Sequence, residues 1–289
     1  MRGRAVPLSA PRRLVGDLMR FSIGVPRVTV QRRMNLKPLA GARSVLAQRP
    51  SWTAIFVKGY ALLADETPEF RRAYVKFPWP QLYEYPDSVA AVTHERDHDG
   101  EKAVLISRIK GPSQRSVAEI SDLIREVQTK PVMEVPDFRR ALKTARAPTP
   151  VRRAMMWLGL NIGRQRANYF GTFHLSVYSG LGAESFNPLS PLTTLLNYGP
   201  IDEMGAVNVR ILYDHRVMDG ATVARALERF EAILNGPVAD ELGAAGTVEG
   251  ARSPAGQDGL RSGERAAGRG QHPHAEVRSP NGSGPQPAR

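Results

Sequence analysis

Apolar residues recur along this chain in two rhythms, and the changes of rhythm mark its elements. Val223, Leu227, Phe230 and Leu234 stand at the spacing of one helical face, which predicts a helix over about 222–234. Just before it, Ala206-Val207-Asn208-Val209-Arg210-Ile211-Leu212-Tyr213 is a run of strand formers. Val28-Thr29-Val30-Gln31-Arg32 predicts another strand. A helix is expected over 51–64 with Ser51 as its N-cap, and a second over 116–127, where Ser116 and Glu119 have the spacing of a capping box. Val89-Ala90-Ala91-Val92-Thr93 and Ala103-Val104-Leu105-Ile106 flank a polar loop containing Asp99-Gly100, a hairpin-like pattern. His94 and His98 are four apart, but in that loop they read as residues of a solvated turn and not as a metal pair. Helical and extended segments are mixed along the chain, and no internal repeat is visible.

Pro148-Thr149-Pro150 breaks the chain before Val151-Arg152-Arg153-Ala154-Met155-Met156-Trp157-Leu158-Gly159-Leu160. This basic, Met- and Trp-rich segment reads as a core or subunit-contact helix, or as one lying in a membrane interface with its Arg residues outside. From Glu241 the pattern stops. Leu242, Val248, Leu260 and Val277 are the large apolar residues of that stretch, scattered among Gly, Ala, Pro, Ser and Arg. Such a segment cannot bury enough surface to offset chain entropy, so residues 241–289 read as a disordered tail. His272 and His274 fall there without fixed partners, and no metal site is expected of them. The expected organisation is a basic arm over 1–11, one domain over 12–240, and the tail.

A length of 289 residues with 42% apolar composition is enough for a substantial core. The absence of cysteine excludes disulfides and thiolate chemistry, and fits a cytoplasmic setting. No apolar run has the length to span a bilayer, and the N-terminus lacks the apolar segment of a signal peptide. The net charge of +12 is uneven: residues 1–33 hold eight Arg against Asp17 alone, and residues 130–170 hold nine Lys and Arg against Glu134 and Asp137. Such patches suit a phosphate-bearing ligand or an anionic membrane surface, with a peripheral location there. No nucleic-acid-binding motif accompanies the charge, so nucleic acid is not expected as a partner.

The densest chemistry lies in Tyr213-Asp214-His215-Arg216-Val217-Met218-Asp219-Gly220-Ala221. A histidine at the end of a strand, held by neighbouring carboxylates, is placed as a general base near neutral pH. On its own, a lone histidine is more often structural. The stretch DHRVMDGA resembles the active-site signature of the acyltransferase component of 2-oxo acid dehydrogenase complexes, a group that shares the chloramphenicol acetyltransferase fold. Further segments carry the resemblance in order. They are Arg12-Arg13-Leu14-Val15 with Met19, Ser22 and Pro26-Arg27-Val28-Thr29; Ile55-Phe56-Val57-Lys58-Gly59-Tyr60-Ala61-Leu62-Leu63 with Pro68-Glu69-Phe70; and Gly171-Thr172-Phe173-His174-Leu175-Ser176, similar to the family's GTFTIS strand.

The resemblance implies an α/β fold of two layers, a mixed β-sheet flanked by helices, and a homotrimer or a multiple of it with the site between subunits. It implies acyl transfer between the thiol of coenzyme A and another thiol or related acceptor, with acyl-coenzyme A as substrate, no bound metal, and His215 as base. Asp219 would hold the loop by pairing with Arg13 or Arg12, while Asp214 could cap or pair locally. A Ser after the GTFTIS-like strand would stabilise the oxyanion; Ser176 and Ser179 both fall in that region, and strand alternation favours Ser176. Residues 187–199 resemble the family strand along the coenzyme channel, making Pro188, Pro191 and Tyr198 candidate contacts. There are departures. Residues 101–106 lack the family's Gly and Pro, Arg71 stands where the family has Asn, and residues 1–11 are too short for a lipoyl or subunit-binding domain. The chain therefore reads as a free-standing relative without a lipoyl group of its own. A catalytically silent trimeric scaffold, or a membrane-surface acyltransferase with a lipid-linked acceptor, are the alternatives.

Overall fold

A six-stranded mixed sheet organises residues 1–252, the part of the chain that the computed structural model describes. In chain order the elements are α1 (Ala10–Ile23), β1 (Arg27–Asn35), α2 (Lys37–Ser44), α3 (Trp52–Glu66), β2 (Arg72–Val75), β3 (Gln81–Glu84), β4 (Val89–His98), β5 (Glu101–Lys110), α4 (Val117–Thr129), α5 (Pro136–Ala145), α6 (Thr149–Asn161), α7 (Gly163–Tyr169), β6 (Phe173–Leu175), β7 (Thr194–Tyr198), β8 (Ala206–Asp214), α8 (Gly220–Ile233) and α9 (Ala239–Arg252). The sheet runs β1-β8-β7-β6-β4-β5, while β2 and β3 form a separate hairpin. Strands β6 and β7 pair in parallel, as do β4 and β6, and the remaining pairs are antiparallel.

Alternation along the strands gives the sheet two different faces. Phe173, Leu175, Leu196, Tyr198, Ile211 and Tyr213 join the main core with Phe56 and Tyr60 of α3 and Leu227 and Phe230 of α8. Phe56 lies flat on Tyr198 with ring centroids 3.9 Å apart, and the Tyr60 hydroxyl donates to Thr194 Oγ1 at 2.6 Å. The intervening residues, among them His174, Asn197, Arg210 and Asp214, are buried on the opposite face, which is polar. Gly171, at φ 94°, makes the approach to β6 feasible, because a Cβ there would sit 2.9 Å from the Val89 carbonyl oxygen.

The expected helices begin where their caps stand. Ser51 accepts from the Ala54 amide, and Ser116 and Glu119 complete a reciprocal capping box. The β4–β5 hairpin is longer than its apolar cores suggested. Asp99 and Gly100 both have positive φ, 50° and 78°, so the connection is a tight two-residue turn whose twist matches the strands. That length overturns the solvated-turn reading of His94. His94 sits inside β4, buried, with Nε2 2.8 Å from Ser107 Oγ and its ring edge-on to Phe138. His98 ends the strand beside Asp99 at 3.4 Å.

Order also continues past residue 240. A π-helical turn over Leu234–Val238 accommodates Pro237, and α9 follows it. Leu242 is 3% exposed in the main core, and the Glu241 carboxylate accepts from the Val117 amide at 2.6 Å. The expectation of a tail beginning at Glu241 is therefore corrected for residues 241–252; the rest of that segment, His272 and His274 included, lies outside the described residues. Leu242 carries more weight than its isolated place in the sequence suggests, because the core's edge receives it.

Helix α6 is turned differently from the interfacial reading. Arg152 points inward and pairs with Asp17 of α1, both almost fully buried, while Arg153 reaches the same carboxylate at 3.0 Å from the surface. Burial alone would raise the Asp17 carboxyl, but hydrogen bonds from Arg152 and Arg153 outweigh it and hold it below its ordinary value. Removing one partner of such a pair leaves the other charge buried and uncompensated. Asp17→Ala should therefore lose about 3–5 kcal/mol of unfolding free energy in urea titrations. A loss within about 0.5 kcal/mol, as at an ordinary surface site, would mean that water reaches the pair.

Candidate functional site

The chain leaves β8 through a turn that its own charges lock. The buried Asp214 carboxylate accepts from the Arg216 amide at 3.0 Å and from Arg216 Nε and Nη2 at 2.9 and 2.7 Å. Arg216 also lies over the Tyr74 ring, 4.2 Å from its centroid. The Val217 amide closes back on the Asp214 carbonyl, and the His215 amide donates to the Pro26 carbonyl at 3.0 Å, tying the turn to the start of β1. These bonds use backbone and flanking residues, and leave the imidazole itself free. Its side chain is 49% exposed, with Nδ1 3.6 Å from Asp219 Oδ1.

Asp219 is the N-cap residue of α8, yet its side chain makes no capping bond. The carboxylate is therefore uncommitted within the helix and stands beside the imidazole. At that distance the two face each other as a charge pair without a direct hydrogen bond. The expected tie from Arg13 or Arg12 to Asp219 is not made. Arg13 Nε donates to the Leu8 carbonyl, Arg12 caps locally through its amide to Ser9, and the Asp219 side chain is 83% exposed. Both arginines lie on the solvent side of α1, whose inward-facing charge is Asp17.

Behind the histidine, the polar face of the sheet gathers charge that the motif alone did not reveal. Arg27 pairs in register with Asp214 and donates through Nη2 to the carbonyls of Ser190 and Leu192. Arg166 donates to the Pro191 and Leu160 carbonyls at 2.8 and 3.2 Å. Burial pushes the Arg27 guanidinium down to about 10; Asp214 opposes that shift and Arg166 adds to it. His174 accepts from or donates to Thr93 Oγ1 at 2.6 Å, and burial, reinforced by Arg27, pushes it down to about 4. It is therefore neutral at physiological pH. Arg27 was visible in the Pro-Arg-Val-Thr segment, but only register shows that it faces Asp214; Arg166 carried no signal in the sequence.

The two candidate serines separate by face. Ser176 directly follows β6; its amide donates to the Leu196 carbonyl at 3.2 Å, and its carbonyl accepts from Asn197 Nδ2 at 2.6 Å. Strand alternation puts its side chain on the polar face with His174, and its hydroxyl has no hydrogen-bond partner among the described residues. Ser179 begins a short 3-10 turn, Ser179–Leu181, and its side chain lies near the phenol of Tyr198. Tyr198 itself belongs to the core, where burial pushes the phenol up to about 12. That corrects its expected place along a coenzyme channel. Pro191 is buried with its carbonyl taken by Arg166, while Pro188 is only partly covered.

No protein-family model matches the chain, and no curated protein matches it at significance. Solved structures do. The dihydrolipoamide acetyltransferase of Azotobacter vinelandii superposes with a TM-score of 0.60 at 17% identity, over 82% of this chain and 93% of that one. The catalytic core of the 2-oxoacid dehydrogenase multienzyme complex of Thermoplasma acidophilum gives 0.59 at 16%, over 81% and 99%. The cubic core of a pyruvate dehydrogenase multienzyme complex gives 0.55 at 17%, over 82% and 93%. The chain has the dihydrolipoamide acetyltransferase fold. The expected class, a mixed sheet flanked by helices, is the one observed. In the Azotobacter enzyme a serine, a histidine and an asparagine four residues beyond it have been studied for their roles in the catalytic mechanism. In the dihydrolipoamide acetyltransferase fold of this chain, Asp219 stands four residues beyond His215.

Proposed function

We propose that this protein is a coenzyme A-dependent acyltransferase in which His215 is the general base. One observation carries the reading: in a dihydrolipoamide acetyltransferase fold, a half-exposed imidazole sits on a locked turn, with an uncommitted carboxylate 3.6 Å from Nδ1. Nε2 takes the proton of the attacking thiol, whose sulfur forms a bond to the thioester carbonyl carbon. Asp219 stabilises the imidazolium that results. The tetrahedral intermediate then expels the second thiolate, which recovers the proton from Nε2. Ser176 donates to the oxyanion, held by the bonds that Leu196 and Asn197 make to its backbone.

The half-exposed His215 and the free Ser176 hydroxyl fit a site completed between copies, and the neighbours that are cores of dehydrogenase complexes support a homotrimer or a multiple of it. Acyl-coenzyme A is the donor, and the basic stretches over residues 1–33 and 130–170 suit its phosphates. A chain without cysteine suits a cytoplasmic setting. The rival reading is a silent scaffold of the same fold. Incubation of the purified protein with a panel of acyl-coenzyme A donors and small thiols, followed by mass spectrometry of the products, separates the two; no transfer from any donor would sink the proposal.

The serine assignment has its own test. Ser176→Ala should raise the barrier by about 2.7–4 kcal/mol, read as a fall in turnover with little change in coenzyme binding. Ser179→Ala should leave turnover close to that of the parent. A large loss in the second variant alone would move the oxyanion donor to Ser179.

A further inference from the structure

With Arg152, Met156 and Leu160 turned inward, α6 presents Val151, Met155 and Leu158 outward at helical spacing, each 45–52% exposed. Trp157 lies beside them and meets Phe77 edge-on at 6.4 Å, and Ile23, also exposed, lines the adjoining groove. Between α1 and α6 runs a groove of about 700 Å³ floored by Met19, Phe21 and Trp157. Arg20, Lys76 and Arg153 line it, and no Asp or Glu does.

From this surface we infer that the α1–α6 face docks on an anionic lipid surface. Aromatic side chains with an apolar body suit the headgroup boundary, aliphatic ones the acyl layer beneath it, and cations at the rim suit lipid phosphates. The charge decides the occupant. Arg153 is already paired with Asp17, so Arg20 and Lys76 are the cations left at the rim; a two-fold contact between copies would set them against each other, whereas an anionic membrane neutralises them. The binding is peripheral: among the described residues no helix is long and apolar enough to cross a membrane. The inference rests on this surface alone and does not depend on the acyl-transfer reading, so either can fail without the other.

The full chain should co-sediment with vesicles of equal parts phosphatidylglycerol and phosphatidylcholine, and not with phosphatidylcholine alone. Each cation near such a surface is worth roughly fivefold in partitioning, so the double variant Arg20→Gln, Lys76→Gln should bind about 25-fold more weakly. Met155→Glu with Leu158→Glu should abolish binding while leaving the thermal unfolding transition in place, since both side chains are exposed. Brominated acyl chains should quench the fluorescence of a variant that retains Trp157 as its one tryptophan. Equal binding to neutral vesicles, or binding that survives the Glu pair, would overturn the inference. So would a parent protein that ignores both vesicles while the Glu pair dissociates its oligomer in sedimentation equilibrium, an outcome that would assign the face to contacts between copies of this chain.

Discussion

His215→Ala should lower acyl transfer about 10²–10⁴-fold, the usual contribution of a general base, and leave the fold intact. The structural reason for the second half is specific. The bond that fixes the turn to β1 comes from the His215 amide, which any residue supplies, and the turn's ionic lock belongs to Asp214 and Arg216. The imidazole is half exposed and contributes little to packing. Turnover at saturating thioester, followed alongside thermal unfolding by circular dichroism, checks both halves. Partial recovery by added imidazole would mark the lost group as a proton acceptor. A variant that transfers acyl groups at the parent rate would remove His215 from the mechanism.

Acid should destabilise the protein well before its carboxylates titrate. His94 and His174 are both buried neutral, and burial holds each at about 4; Arg96 adds to the shift at His94 and Arg27 at His174. An unfolded chain takes up these two protons near the ordinary histidine value of about 6.5, whereas the folded chain resists until about 4. Stability is thus full above that upper value and is lost as pH falls through the window between them. A displacement of this size corresponds to about 3 kcal/mol per histidine at the low end, a large share of the 5–15 kcal/mol typical of a domain. Urea unfolding measured from neutral pH down to about 4 should show the loss, and His94→Gln with His174→Gln should flatten the slope. A flat profile in the parent would mean that water reaches both rings in the folded state.

Much of the fold was legible because local rules coincide with the tertiary answer. The caps at Ser51 and Ser116, the strand leading to His215 and the Asp-Gly turn are decided within a few residues of themselves. The errors share one physical cause, partners distant in the chain. His94 reads as a loop residue until Ser107 and Phe138 are seen to receive it. Of the two readings left open for α6, the one with Arg152 facing outward fails once Asp17, on the opening helix, is placed against it. Arg12 and Arg13 stood at the right place in the order of segments, but the face of α1 that meets the core belongs to other residues. At the site, the histidine loop was readable from one contiguous stretch. The choice between Ser176 and Ser179 depended on where β6 ends and on which side of the sheet Tyr198 lies.

The Asp17–Arg152 contact also constrains how this chain could have arisen. Arg152 without Asp17 would be a lone buried charge, and Asp17 without Arg152 would keep only Arg153 at the surface, so a single substitution from an apolar pair should pass through a less stable ancestor. The two positions, on the first and sixth helices, should behave as one inherited character. Lineages that carry one charge should carry the other, and lineages that lost one would have been under pressure to replace both with packing residues. The opening helix and the segment after Pro148 are thus expected to have changed together, although nearly half of the chain separates them.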